Sequence, residues 1–256
     1  MLKIPVALTA LAALLVLPLA AAAQEAAAAP RPFVYATYFE CDTTEQWLAD
    51  MIVETVYKPV YDAAVKDGTI SAWGWLAHHT GGKWRRGLYR TASTIDALLD
   101  GGDAVAEKIS EANAAAARKL GQICGAHEDY IWQTVNGSGG AGSIDVATVP
   151  SEAGVSMYLV CDMAKQERAD ELMAIVAPVY NSHVKEGELS SWGWLEHIIG
   201  GKYRRLATFT ATDNAALLEA RAAIGQSLQD DPLAQAFTGI CGSHSDYIWN
   251  VVSKGP

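Results

Sequence analysis

Trp73-Gly74-Trp75-Leu76-Ala77-His78-His79-Thr80-Gly81-Gly82-Lys83-Trp84-Arg85-Arg86 returns as Trp192-Gly193-Trp194-Leu195-Glu196-His197-Ile198-Ile199-Gly200-Gly201-Lys202-Tyr203-Arg204-Arg205, with ten of fourteen positions identical and no gap. A second stretch, Ile123-Cys124-Gly125-Ala126-His127-Glu128-Asp129-Tyr130-Ile131-Trp132, returns as Ile240-Cys241-Gly242-Ser243-His244-Ser245-Asp246-Tyr247-Ile248-Trp249. Cys41-Asp42 likewise matches Cys161-Asp162, and Pro59-Val60-Tyr61 matches Pro178-Val179-Tyr180. Self-similarity at an offset that drifts only from 120 to 117 residues is the mark of a tandem duplication. Repeat one is read over 33–135 and repeat two over 154–252, each of ordinary small-domain length. The stretch 136–153, opening on Asn136-Gly137-Ser138-Gly139-Gly140, reads as a flexible linker, and 253–256 as a tail.

Each repeat reads as strand, helix, two strands, helix, strand. Val34 to Cys41 and Val155 to Cys161 are rich in β-branched and aromatic residues. Thr43 or Thr44 can cap a helix over Glu45 to Lys66, which Pro59 is expected to kink or divide. Gly68 and Gly187 stop the two copies of that helix. Ile70–Thr80 and Lys83–Thr91 are expected to form a hairpin on the two-residue turn Gly81-Gly82. Ser93 or Thr94 caps an Ala-rich helix running to about Gln122, and His127–Val135 closes the unit.

A βαββαβ order is the ferredoxin-like pattern. Two such units in tandem resemble the dimeric α/β-barrel superfamily with its usual homodimer fused into one chain. The expected fold is therefore α+β: two tandem ferredoxin-like repeats packed as an intrachain pseudo-dimeric α/β barrel. The superfamily includes antibiotic-biosynthesis-type monooxygenases, muconolactone-isomerase-like enzymes and haem-binding members. The resemblance covers nearly all of the chain after its leader, but only as an order of elements. No catalytic motif is shared, so no functional residue is carried over, and fold alone does not assign function. In such a sheet the first and last strands are antiparallel neighbours. That adjacency pairs Cys41 with Cys124 and Cys161 with Cys241, against the alternative of four reduced buried thiols.

The hairpin holds the candidate site. Counting outward from the turn sets Thr80 opposite Lys83, His79 opposite Trp84, His78 opposite Arg85 and Ala77 opposite Arg86. Period-two alternation puts His78, Leu76, Arg85 and Tyr89 on one face, and Trp73, Trp75 and Arg86 on the other. The second-copy sets are His197, Leu195, Arg204 and Phe209 against Trp192, Trp194 and Arg205. His78 and His197 are the candidate general bases or acids, since histidine titrates near neutrality. Arg85 and Arg204, with Arg86 and Arg205, could hold a carboxylate or enolate through the guanidinium fork. The competing reading is a hairpin tip with solvated charges and no ligand. Trp73, Trp75, Trp192 and Trp194 read first as core, and second as a stacking platform for a planar ligand. Tyr61 and Tyr180 could line a cavity under the proline, or simply pack. His127–Asp129 and His244–Asp246 lie two apart on a strand, but no third ligand accompanies them and no metal is expected.

Half of the 256 residues are hydrophobic and the formal net charge is −10. That balance excludes general nucleic-acid binding and docking on anionic lipid. Lys3, an apolar run from Ile4 to Ala20, and Ala21-Ala22-Ala23 read as a signal peptide over 1–23. Residues 24–32 then form a flexible lead-in. The protein is expected to be exported to the periplasm or medium as a monomer, with no membrane association after cleavage. The expected function is binding of a small apolar or aromatic acid, one pocket per repeat. Alternatives are a cofactor-independent monooxygenase- or isomerase-like enzyme and a non-catalytic envelope protein; whether it is an enzyme is left open. No cofactor is called for, with haem left open because one histidine suffices as its ligand.

Overall fold

Side chains that alternate between two destinations along eight strands set the architecture. A computed structural model of the chain describes residues 31–138 and 151–255. The expected signal peptide, most of the lead-in and the middle of the expected linker lie outside the described residues. The strands are β1 (Phe33–Glu40), β2 (Ala72–Thr80), β3 (Arg86–Ala92), β4 (Ala126–Ser138), β5 (Ala153–Val160), β6 (Ser191–Gly200), β7 (Arg205–Ala211) and β8 (Ser243–Lys254). They close into one antiparallel barrel in the order β1-β3-β2-β8-β5-β7-β6-β4. The first four strands are thus contiguous, as are the last four, and the two halves meet at the seams β2·β8 and β4·β6. Asn136–Ser138, read as the opening of the linker, extend β4 along β6.

Helices coat the outside. The first half carries α1 (Gln46–Ile52), α2 (Lys58–Lys66) and α3 (Ile95–Ile123); the second carries α4 (Gln166–Lys185), α5 (Asn214–Leu228) and α6 (Pro232–Thr238). A π-helical turn at Val53–Tyr57 separates α1 from α2, with Pro59 in the first turn of α2. Pro178, its counterpart, sits inside an unbroken α4. The first copy is therefore divided and the second is not. Thr94 caps α3 through Oγ1, whereas neither Thr43 nor Thr44 caps α1: there Asp42 accepts from the Thr44 backbone and hydroxyl, both at 2.8 Å. Gly68 and Gly187 end their helices at φ +80° and +79°, backbone that favours glycine.

Both disulfides are formed, Cys41–Cys124 and Cys161–Cys241. Each fastens the end of a half's first strand to the start of its last, so the strand adjacency inferred from the repeat is the observed one. Two apolar layers lie between helices and strands, one containing Tyr61, Trp73, Trp75 and Val105, the other Tyr180, Trp192, Trp194 and Phe209. A third cluster fills part of the barrel interior with Tyr38, Trp84, Tyr130, Trp132, Tyr158, Tyr203, Tyr247 and Trp249.

Candidate functional site: the barrel lumen

Outward-facing hairpin residues build a bracket rather than a pocket. Asp50, on α1, accepts from Trp75 Nε1 at 2.7 Å and from Arg86 Nε and Nη2, both at 2.6 Å. Gln46 accepts from Arg86 Nη1 at 3.1 Å, and Arg86 is 5% exposed. Asp170 repeats the arrangement on α4, with Trp194 at 2.7 Å, Arg205 at 2.7 and 2.6 Å, and Gln166 completing it. A two-pronged guanidinium–carboxylate pair of this kind fixes a helix to a sheet. Tyr61 stacks on Trp73 at 4.9 Å and Tyr180 on Trp192 at 5.0 Å in the same layers. Indole N–H groups of Trp73 and Trp192 are taken up by Asp62 and Asn181. Arg86, Arg205, Trp75 and Trp194 therefore serve the helix–sheet contact.

The ladder of the first hairpin stops at Ala77–Arg86, and that of the second at Glu196–Arg205. His78 N still donates to Arg85 O at 3.0 Å, as the counting from Gly81-Gly82 required. Past that point the expected two-residue turn gives way to a wider loop. Gly81 and Gly200, at φ +136° and +133°, fold the tips over Tyr247 and Tyr130 of the other half. Trp84, expected opposite an exposed His79, turns inward to stack on Tyr38 at 4.5 Å and Tyr247 at 4.9 Å. Burying the indole outweighs two more ladder bonds at an exposed tip. Phe209 lies on the outer face against Tyr180, so its assignment to the His197 face is corrected: Thr208 is the residue opposite Gly193 that matches Tyr89 opposite Gly74.

His78 and His197 point into the same closed end. The His78 ring meets Tyr247 and Trp249 edge-on, both at 6.2 Å, and His197 meets Tyr130 and Trp132 at 6.1 and 5.9 Å. Each histidine thus crosses a seam. Burial, and then the neighbouring Arg85 or Arg204, holds both below the usual histidine pKa.

The other end of the barrel is open. A lumen of about 550 Å³ runs down to the aromatic cluster. Its wall is Val34, Ala36, Tyr38, Leu76, Gly87 and Tyr89 from the first half, and Gly154, Ser156, Leu195, Leu206, Thr208 and Trp249 from the second. Trp73 and Trp192 reach its edge; none of the other candidate side chains lines it. The expectation of one pocket per repeat is replaced by a chamber shared by both halves. A second cavity of about 180 Å³, bordered by Tyr180, Phe209 and Arg221, lies beneath α5. Arg31 and Lys254 stand at the lumen's mouth, but Arg31 pairs with Glu196 and Lys254 lies 4.0 Å from Glu152. Burial raises the Tyr38 and Tyr89 hydroxyls above their ordinary value, so both stay protonated donors at neutral pH. None of the six histidines faces the lumen, so its wall does not fit a histidine-ligated haem. Among the described residues no group of three His, Cys, Asp or Glu is placed to hold a metal, and no helix is long and apolar enough to cross a membrane.

Sequence reasoning missed Tyr38, Ser156, Thr208 and Trp249. Alternation along Val34, Ala36 and Tyr38 carried the signal, but which face was the inner one required knowing that the sheet closes.

No family model matches the sequence, and no curated protein matches it. Solved structures do resemble it in fold. A proposed monooxygenase from Fusobacterium nucleatum superposes with a TM-score of 0.64 at 10% identity, over 88% of this chain and 94% of that one. An anthrone oxidase-like protein gives 0.51 at 15% identity, over 88% and 92%. A mutant chlorite dismutase from Candidatus Nitrospira defluvii, in complex with cyanide, gives 0.53 at 11% identity, over 86% and 90%. The architecture they share with this chain is the dimeric α/β barrel.

Proposed function

We propose that the chain is an exported binding protein for a small, largely apolar aromatic molecule held in the barrel lumen, formed by two fused ferredoxin-like repeats. The observation that carries this reading is the chamber of about 550 Å³, apolar along most of its wall and floored by stacked aromatics. The acid expected from the sequence is not retained, because both cations at the mouth already have carboxylate partners. Two disulfides suit an oxidising compartment.

The test uses fluorene, a rigid aromatic without polar atoms, titrated into the purified protein while tryptophan emission is followed. Saturable one-to-one binding is expected, abolished in Thr208→Trp. Absence of binding, or binding untouched by Thr208→Trp, overturns the lumen as the site and leaves the envelope-protein reading. A second reading, cofactor-independent oxidation of the bound aromatic, draws on neighbours described as a monooxygenase and an anthrone oxidase-like protein. Oxygen uptake with anthrone tests it. Turnover unchanged in His78→Gln and His197→Gln would remove the histidines from any catalytic role.

A further inference from the structure

The lumen floor carries a hydrogen-bond donor that the protein itself does not use. Trp249 is 1% exposed and lines the chamber, yet its Nε1 has no partner in hydrogen-bond geometry. Trp132 Nε1 and the Tyr158 hydroxyl, both fully buried and absent from the lining, are directed at the Tyr38 hydroxyl. Tyr38 lines the floor, its oxygen accepting from those two groups and its own O–H left to donate, with its ring 5.2 Å from that of Tyr158. The four are paired by the repeat: Tyr38 corresponds to Tyr158 on the first strand of each half, and Trp132 to Trp249 on the last.

Indole N–H groups donate only, and a phenol held protonated donates as well. A buried donor left unpaired costs about 1–3 kcal/mol, so Trp249 Nε1 favours an acceptor that arrives with the ligand. A carboxylate would need a cation, and none lines the floor. Resting on the binding reading above, we infer that the floor is an oxygen-recognition site, and that the ligand is a planar aromatic ketone whose carbonyl oxygen accepts from Trp249 and Tyr38. The ring system then lies along Leu76, Leu195 and Leu206, over Thr208 where the first half has Tyr89.

Fluorenone and fluorene, alike in shape and differing by the carbonyl, separate this inference from the reading beneath it. The intact protein is expected to bind fluorenone about tenfold more tightly than fluorene, with the ketone's infrared stretch moved to lower frequency. Trp249→Phe and Tyr38→Phe should each reduce the preference to about threefold or less and return the stretch towards its apolar-solvent position. Near-ultraviolet circular dichroism checks that the variants fold; where one does not, the other carries the test. Equal binding of both compounds with an unshifted stretch overturns the oxygen site while the lumen reading stands. Failure of both compounds to bind overturns the two together.

Discussion

The two halves agree on their outer faces and disagree on their inner ones. Trp75, Asp50, Arg86 and Gln46 are matched atom for atom by Trp194, Asp170, Arg205 and Gln166. Inside, Ala36 faces the lumen where the second half has Ser156, Gly87 where it has Leu206, and Tyr89 where it has Thr208. Tyr89 covers Gly74 so closely that a Cβ there would lie 2.5 Å from its ring; Thr208 covers Gly193 with a hydroxyl alone. The helix–sheet bracket answers to folding, which is the same problem twice. The wall is free of that requirement, and under the binding reading proposed above a ligand without twofold symmetry would meet a different surface in each half.

The largest expected effect tests the shared side of that comparison. Replacing Cys41 and Cys124 with serine should lower unfolding free energy by about 3–5 kcal/mol, and the Cys161/Cys241 pair by a similar amount, since the loops close over 83 and 80 residues. Urea unfolding of both double variants checks this; losses differing by more than about 2 kcal/mol would show that the halves are not held alike. Next, Asp50→Ala and Asp170→Ala should each cost about 2–3 kcal/mol, below the range for a fully buried pair because these carboxylates are 25% and 20% exposed. The same titration reads it, and a clear inequality would again break the equivalence.

Exchanging the inner residues should separate the halves. Thr208→Tyr is expected to weaken fluorene binding by at least about tenfold, with thermal stability little changed, because the phenol occupies existing space. Tyr89→Thr should do the reverse: it enlarges the chamber, admits a bulkier aromatic, and lowers stability by about 1–3 kcal/mol. Identical binding by both variants would mean that the asymmetry has no bearing on the ligand.

The smallest effect is in pH. His78 and His197 take up a proton in the unfolded chain near pH 6.5 but only at lower pH when folded. Their contribution to stability is therefore complete above about pH 6.5 and declines as pH falls below it. Denaturation midpoints measured at stepwise lower pH should show that decline. His78→Gln and His197→Gln should each remove part of it, in similar measure.

Tandem strand order and both disulfides were legible because they depend on sequence repetition and on which strands lie side by side. Register near the hairpin was legible as far as Ala77–Arg86 and Glu196–Arg205, where ladder bonds still govern. Beyond it, Trp84 and Tyr203 are decided by the aromatic interior, contributed by strands up to 165 positions away in the case of Trp84 and Trp249, and no local pattern predicts that. The candidate site suffered for the same reason. Arg86 and Trp75 look like ligand contacts until Asp50 is placed over them. The lumen wall, by contrast, consists of residues such as Ala36, Ser156 and Thr208 whose types announce no chemistry by themselves.

Carrying both seams within one chain has a consequence for how a guest can be seated. In an assembly of two identical subunits every wall residue occurs twice, and an unsymmetrical guest fits equally well when turned end for end. Here the β2·β8 and β4·β6 seams join strands encoded separately, and a substitution in one wall leaves the other untouched. Such a barrel can fix a single pose for its guest, a selectivity in orientation that a symmetric vessel of the same shape does not possess.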